Sequence, residues 1–240
     1  PPVAPDAATF LAVTNDAIAR SGSAALKTRA AQFQKLGLTT KWDNVTAEKR
    51  SLWQKSLPAL RRELRGGLSD PKTVVAGWSY PPLDIAQYGE NDDLRAAVAL
   101  GGLAALPRVE AIYLTAQTDS AGVPLDGSKS YRVKMPANMP VGSFWSLTMY
   151  QVEPDGRLFF VPNELNRFAV GDRSRFMHAE RDGSYEIFVQ GPKPSGERVV
   201  NWLPAPKGKF VLIYRAYLPK AEFLDGSFRL PPVTADELVP

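Results

Sequence analysis

The sequence contains no cysteine. That excludes disulfides, zinc–thiolate sites, iron–sulfur clusters and thiol catalysis. It has one histidine, His178. A lone imidazole cannot build a multi-histidine metal site, and it serves a triad only beside a nucleophile and an acid. No apolar run reaches the roughly 18 residues that a membrane-spanning helix needs, so none is expected. No long basic run occurs either. The formal charge is +4 with Lys and Arg spread along the chain, and nucleic acid is therefore not an expected partner. The phosphate loop, dinucleotide fingerprint, G-x-S-x-G elbow, H-E-x-x-H and calcium-loop patterns are all missing. No metal and no cofactor are expected. The opening PPVAPDAATF reads as a mature N-terminus after signal cleavage. The expected location is periplasmic or secreted, with cytoplasmic as the alternative.

What the chain does have is concentrated in SFWSLTMYQVEPDGRLFFVPNELNR, from Ser143 to Arg167. This reads as an aromatic strand, a Pro154-Asp155-Gly156 turn, a second apolar strand and a polar loop. Alternation puts Trp145, Leu147 and Met149 on one face, and Phe144, Ser146, Thr148 and Tyr150 on the other. The first face is core. The second mixes rings and hydroxyls, as a pocket wall does.

In chain order, the first part reads mostly as helix. Asp6 caps a segment running to Arg20, and a second runs from Ala24 to Leu36 and stops at Gly37. Thr46 caps a third, with Leu52, Trp53, Leu57, Leu60 and Leu64 at helical spacing and Pro58 as a kink. Its basic end, Arg61, Arg62 and Arg65, suits a helix C-terminus. Asp70-Pro71 starts a short helix to Ala76. Asp92 or Asp93 caps the last, from Leu94 to Leu106. From Glu110 the texture changes to short strands with turn signals at Asp126-Gly127 and Asp182-Gly183. The expectation is an α+β fold: a helical N-terminal region, residues 1–106, packed on an antiparallel β-sandwich or jelly-roll-like part, residues 107–240. The two count either as domains or as one compact unit.

These motifs, in this order, resemble the bacterial Domain of Unknown Function 1214. The matching residues are Gly77-Trp78, Tyr88 to Ala96, Glu110 to Tyr113, Asp119 to Gly127 and Tyr131. The best match is Phe144-Trp145-Ser146-Leu147-Thr148-Met149-Tyr150. It continues through Asn163, Asn166-Arg167-Phe168, Asp182-Gly183-Ser184, Asn201 to Pro206 and Arg215 to Pro219. The resemblance spans roughly Val75 to Pro232. It implies a jelly-roll-like β domain, which in many members follows a second domain, numbered 1254, whose pattern this sequence lacks. Asp92-Asp93-Leu94 stands where members usually have a tyrosine. No catalytic set carries over.

The functional candidates come from the strand ends and the polar loop. Arg215 shares a strand face with Val211, Ile213 and Tyr217. A cation there needs a partner, either a structural carboxylate such as Glu186 or Asp182, or an anionic ligand. Asn166 and Arg167 offer fixed donors in a loop. Asn201 and Trp202 precede a Pro-rich turn, where they either brace it or meet a sugar ring. Trp145, Ser146 and Tyr150 complete the candidate ligand-binding set. Two functions are consistent with these residues. One is a sandwich that binds a small anionic or sugar-like molecule. The other is a metal-independent hydrolase of ester or glycosidic bonds, in which a carboxylate works with Tyr150 and Arg167 or Arg215. Oligomeric state is left open.

Overall fold

In this computed structural model the described residues are 4–66, 73–154 and 156–236. They fall into two compact units, residues 1–65 and 66–240.

The first unit is helical. α1 (Ala7–Arg20) begins at Asp6, whose carboxylate accepts the Thr9 amide at 2.8 Å. α2 (Ala24–Gln32) is capped by Ser23. The sequence extends this helix to Leu36. The chain instead tightens into a 3-10 turn over Gln34–Leu36 and stops at Gly37, whose φ of 98° suits glycine. α3 (Ala47–Gly66) follows Thr46 and continues through Pro58. Of its periodic leucines only Leu57 is buried, while Leu52 and Leu60 are exposed. The small core holds Ala7, Leu11, Ile18, Ala30, Val45 and Leu57. Beside it the Phe10 and Trp53 rings meet at 5.8 Å.

The second unit opens with a hairpin, β1 (Val74–Val75) and β2 (Trp78–Ser79). The expected helix from Asp70 starts outside the described residues, and its expected end is this hairpin. The cause is local. Ala76 and Gly77 both take positive φ, 52° and 84°, which is the geometry of a two-residue turn between twisted strands. A Cβ on Gly77 would lie 3.1 Å from the Thr118 carbonyl, so the close approach also demands glycine. α4 (Asp92–Gly101) is capped by Asn91, not by the aspartates after it. It ends at Gly101-Gly102, short of the expected Leu106, because paired glycines are poor helix formers.

Nine strands follow among the described residues: β3 (Ala111–Ala116), β4 (Tyr131–Met135), β5 (Trp145–Val152), β6 (Leu158–Phe159), β7 (Ala169–Gly171), β8 (Tyr185–Gln190), β9 (Trp202–Pro204), β10 (Phe210–Tyr217) and, after the one-turn α5 (Ala221–Leu224), β11 (Thr234–Ala235). They complete two sheets. The larger runs β1-β2-β3-β10-β5-β6, with β7 also paired to β5, and the smaller runs β11-β4-β8-β9. All pairs are antiparallel except β8 with β9. The chain passes repeatedly from one sheet to the other, so a sandwich results. Leu114, Trp145, Leu147 and Tyr214 of the large sheet share one core with Tyr131, Val133, Ile187 and Val189 of the small one. Each such side chain contributes about 1.5–3 kcal/mol through burial. The tail is fastened to this core. Trp78 Nε1 donates to the Pro231 carbonyl at 2.8 Å, and the Tyr80 hydroxyl accepts the Leu230 amide at 3.0 Å. Among the described residues no helix is long and apolar enough to cross a membrane.

Candidate functional site

The outer face of the large sheet carries the group of interest. On β5 the alternation acts as read from the sequence: Trp145, Leu147 and Met149 are buried, and Ser146 and Tyr150 remain partly exposed on the other side. On β10, Arg215 is also partly exposed. The register places Arg215 opposite Tyr113 of β3 on one side and Ser146 of β5 on the other. Its Nη1 donates to Thr148 Oγ1 at 2.8 Å, and its Nη2 donates to the Tyr150 hydroxyl at 2.9 Å. The guanidinium lies 5.8 Å from the ring centres of both Tyr113 and Tyr150.

Among the described residues no carboxylate pairs with Arg215. The two anticipated partners are engaged elsewhere. Glu186, on β8 of the other sheet, binds Arg132 at 3.1 Å. Asp182 accepts the Ser184 hydroxyl at 2.6 Å and faces Lys134 at 3.8 Å. Arg215 is thus positioned by hydroxyls, with no carboxylate against it among the described residues. Burial pushes the Tyr113 phenol above its ordinary pKa, with Tyr217 adding to the effect and Arg215 opposing it.

Rings flank this cation at both ends. Tyr217 stacks on Phe144 at 4.3 Å and meets Tyr113 edge-on at 6.4 Å. Arg173 lies 4.1 Å over Phe144. On the other side Tyr150 stacks on Phe160 at 5.0 Å, and Phe160 on Phe168 at 5.1 Å.

The remaining candidates are placed differently. The Arg167 Nη1 donates to the carbonyls of Val199, Val200 and Trp202 at 3.2, 3.0 and 2.6 Å. Its guanidinium lies 3.9 Å over Phe176, and burial lowers its pKa. It braces the loop against the start of β9. Asn163 supports it by accepting the Arg167 amide at 3.0 Å. Asn166 is exposed at the corner of that loop with φ of 48°. Asn201 is buried and exchanges two hydrogen bonds with the His178 backbone, at 2.7 and 2.9 Å. Trp202 is buried and donates to the Gln190 carbonyl at 2.8 Å. Trp145 packs in the core, stacked on Tyr214 at 6.0 Å. The structure therefore joins Ser146, Tyr150 and Arg215 in one place and Arg167, Asn201 and Trp202 in another.

Three members of the outer-face group were not singled out from the sequence: Tyr113, Thr148 and Tyr217. Thr148 carries a usable signal, since alternation already places it beside Tyr150. Tyr113 does not, because its approach to Arg215 depends on β10 lying between β3 and β5. The face can hold an anion by a guanidinium fork and stack a ring. Among the described residues no group of three or more His, Asp or Glu side chains is placed to hold a metal.

Known proteins add a family match and a fold. The chain is similar to the VPA0106 protein from Vibrio parahaemolyticus, with 27% identity and a TM-score of 0.59 over 88% of this chain and 51% of that one. An uncharacterised protein from Burkholderia cenocepacia matches at 14% identity and a TM-score of 0.41, over 98% of this chain and 50% of that one. The chain thus spans about half the length of each. No curated protein matches it. Residues 110–221, which contain β3, β5, β10 and the Arg215 cluster, match the model of the family described as protein of unknown function (DUF1214).

Proposed function

We propose that the outer face of the large sheet binds a small anionic ligand through Arg215, and that sugar acids are the class it suits best. One observation carries this reading: a fixed guanidinium held by Thr148 and Tyr150 without a carboxylate. Two of its N–H groups go to hydroxyls, and the others stay available for a bidentate carboxylate. Ser146 and Thr115 add hydroxyls on the same face, and Tyr113 and Tyr217 add ring surface for a sugar body. Hydrolysis would need a general base. Among the described residues no carboxylate is hydrogen-bonded to Tyr150 or Arg215, so binding is the better-supported function.

The test is calorimetric titration of the full chain with glucuronate, galacturonate and glucose. The acids are expected to bind and glucose to bind far more weakly. Arg215→Ala should weaken binding by about tenfold or more. Tyr150→Phe, which removes one oxygen and keeps the ring, should weaken it less. It also carries the test should R215A fold poorly. Equal binding of glucose and glucuronate, or no binding of any acid by the wild type, would refute the proposal.

A further inference from the structure

The net positive charge of this chain comes from its helical unit. Residues 1–65 contain 11 Lys and Arg against 5 Asp and Glu, a net +6, whereas residues 66–240 contain 18 against 20, a net −2. No basic run announces this asymmetry, which appears only when the chain is divided where it folds. Within the helical unit, Arg61, Arg62 and Arg65 line a cavity of about 460 Å³ together with Pro5, Asp6 and Gln54. The spacing explains the convergence. Arg61 and Arg65 stand one turn apart on α3, and Arg62 flanks them.

Arg61 is anchored. Its Nη2 donates to the Pro5 carbonyl at 2.7 Å, and its guanidinium lies 5.9 Å over Phe10. Arg62 and Arg65 are exposed, and among the described residues neither has an ion-pair partner. Asp6 is the one acid in the lining. Its carboxylate is tied to the Thr9 amide at 2.8 Å, at the start of α1. Three arginines against one aspartate leave the lining at +2.

A helix C-terminus favours cations, and that accounts for a basic last turn. It does not account for three arginines lining one cavity, where like charges a turn apart repel. An anion between them removes that repulsion. The guanidinium fork matches phosphate oxygens, and the volume falls in the range of about 300–1,000 Å³ usual for small-ligand sites. We infer that the helical unit holds a second anion site, in which Arg61, Arg62 and Arg65 bind a phosphate group, either free or on a lipid headgroup. This site is in a different unit from Arg215, so either can fail without the other.

The full chain is titrated with inorganic phosphate and pyrophosphate. It is also sedimented with vesicles of phosphatidylcholine alone and of phosphatidylcholine mixed with phosphatidylglycerol. Binding to phosphate in solution without vesicle retention assigns a free ligand. Retention only on the phosphatidylglycerol vesicles assigns a lipid. Either supports the site, provided that R62A/R65A weakens it by about tenfold or more and that Lys27→Ala/Lys35→Ala, an equal charge loss at exposed positions elsewhere in the unit, does not. Arg62→Glu, a single exposed change, should reproduce the loss. Wild type that binds neither probe, R62A/R65A that binds normally, or a K27A/K35A double variant that loses as much as R62A/R65A would each overturn the inference.

Discussion

Four arginines of the sandwich unit contrast with Arg62 and Arg65 of the helical unit. In the sandwich unit, Arg132 bridges Glu186 and Asp236 at 3.1 Å each. Arg198 holds Asp236 at 2.9 Å and lies 4.7 Å over Phe188. Arg167 and Arg215 are held by carbonyls and hydroxyls respectively. In the helical unit Arg62 and Arg65 project into solvent. The difference follows from what lies beneath. The sandwich buries whole aromatic rings such as Trp78, Tyr131, Tyr214 and Phe210, and its strands are fixed in register. A long side chain on such a surface finds its partners at constant distances. The helical unit buries a few small and aliphatic side chains, and its outward residues sit on isolated helix faces. A deep core thus gives side chains directional partners, and a shallow one leaves a charged surface.

The largest expected effects test that difference in depth. Leu212 is fully buried at the centre of the large sheet, between β3 and β5. Leu212→Ala should cost about 2–5 kcal/mol, read as a lower midpoint in the aromatic near-ultraviolet signal on denaturation. Leu11 is fully buried as well, in the helical unit. Leu11→Ala removes a comparable volume from a much smaller core, and it should lower the midpoint of the helical far-ultraviolet signal first. A unit of about 65 residues has little reserve for such a loss. The comparison breaks if L11A shifts both signals together and by the same amount.

Local patterns made much of this legible in the sequence. The Asp6 cap and the β5 alternation need only neighbouring residues, and both stand where the sequence places them. Two of the misjudged helix ends share one cause. At Ala76-Gly77 and Gly101-Gly102, backbone freedom at glycine outweighs the helical propensity of the flanking residues. The site was half legible. Tyr150 and Arg215 follow from face parity, whereas their contact depends on β5 and β10 being neighbours, which sequence order hides because β6 to β9 intervene. Arg167 shows the converse. A polar loop rich in Asn and Arg reads as a ligand site, yet its donors point to backbone carbonyls about thirty residues away, a distance local pattern cannot reach.

Arginine removal sharpens the comparison at a smaller scale. Arg167→Ala leaves the carbonyls of Val199, Val200 and Trp202 without their donor. The expected cost is about 1–3 kcal/mol of stability, with sugar-acid affinity unchanged. R62A/R65A, which removes twice the charge, should move stability by no more than about 0.5 kcal/mol, because among the described residues neither side chain has an ion-pair partner. Equal destabilisation by both variants in urea titrations would show that the two units do not differ in how they use this residue.

The smallest effect concerns acid. In the sandwich unit Asp126, Asp182 and Asp225 each accept hydrogen bonds from the serine two positions on, at 2.9, 2.6 and 2.8 Å. Those bonds hold the three carboxyls below their ordinary value of 3.8, chiefly through the Ser128 amide, the Ser184 hydroxyl and the Ser227 amide. In the helical unit Asp6 is held low as well, by the Thr9 amide. The sign follows from linkage: a carboxyl with a depressed folded pKa stabilises fully above its unfolded value and loses that contribution as pH falls through the folded one. Both units should therefore lose this contribution below about pH 4. All four carboxyls lie at the surface, so each contribution is small. Asp182→Asn keeps an acceptor in the turn and removes the titration. Its near-ultraviolet melting midpoint should fall less steeply between about pH 4 and pH 2 than that of the wild type. An unchanged slope would mean that the Asp182–Ser184 bond contributes nothing to folding, and that the acid response arises elsewhere in the chain.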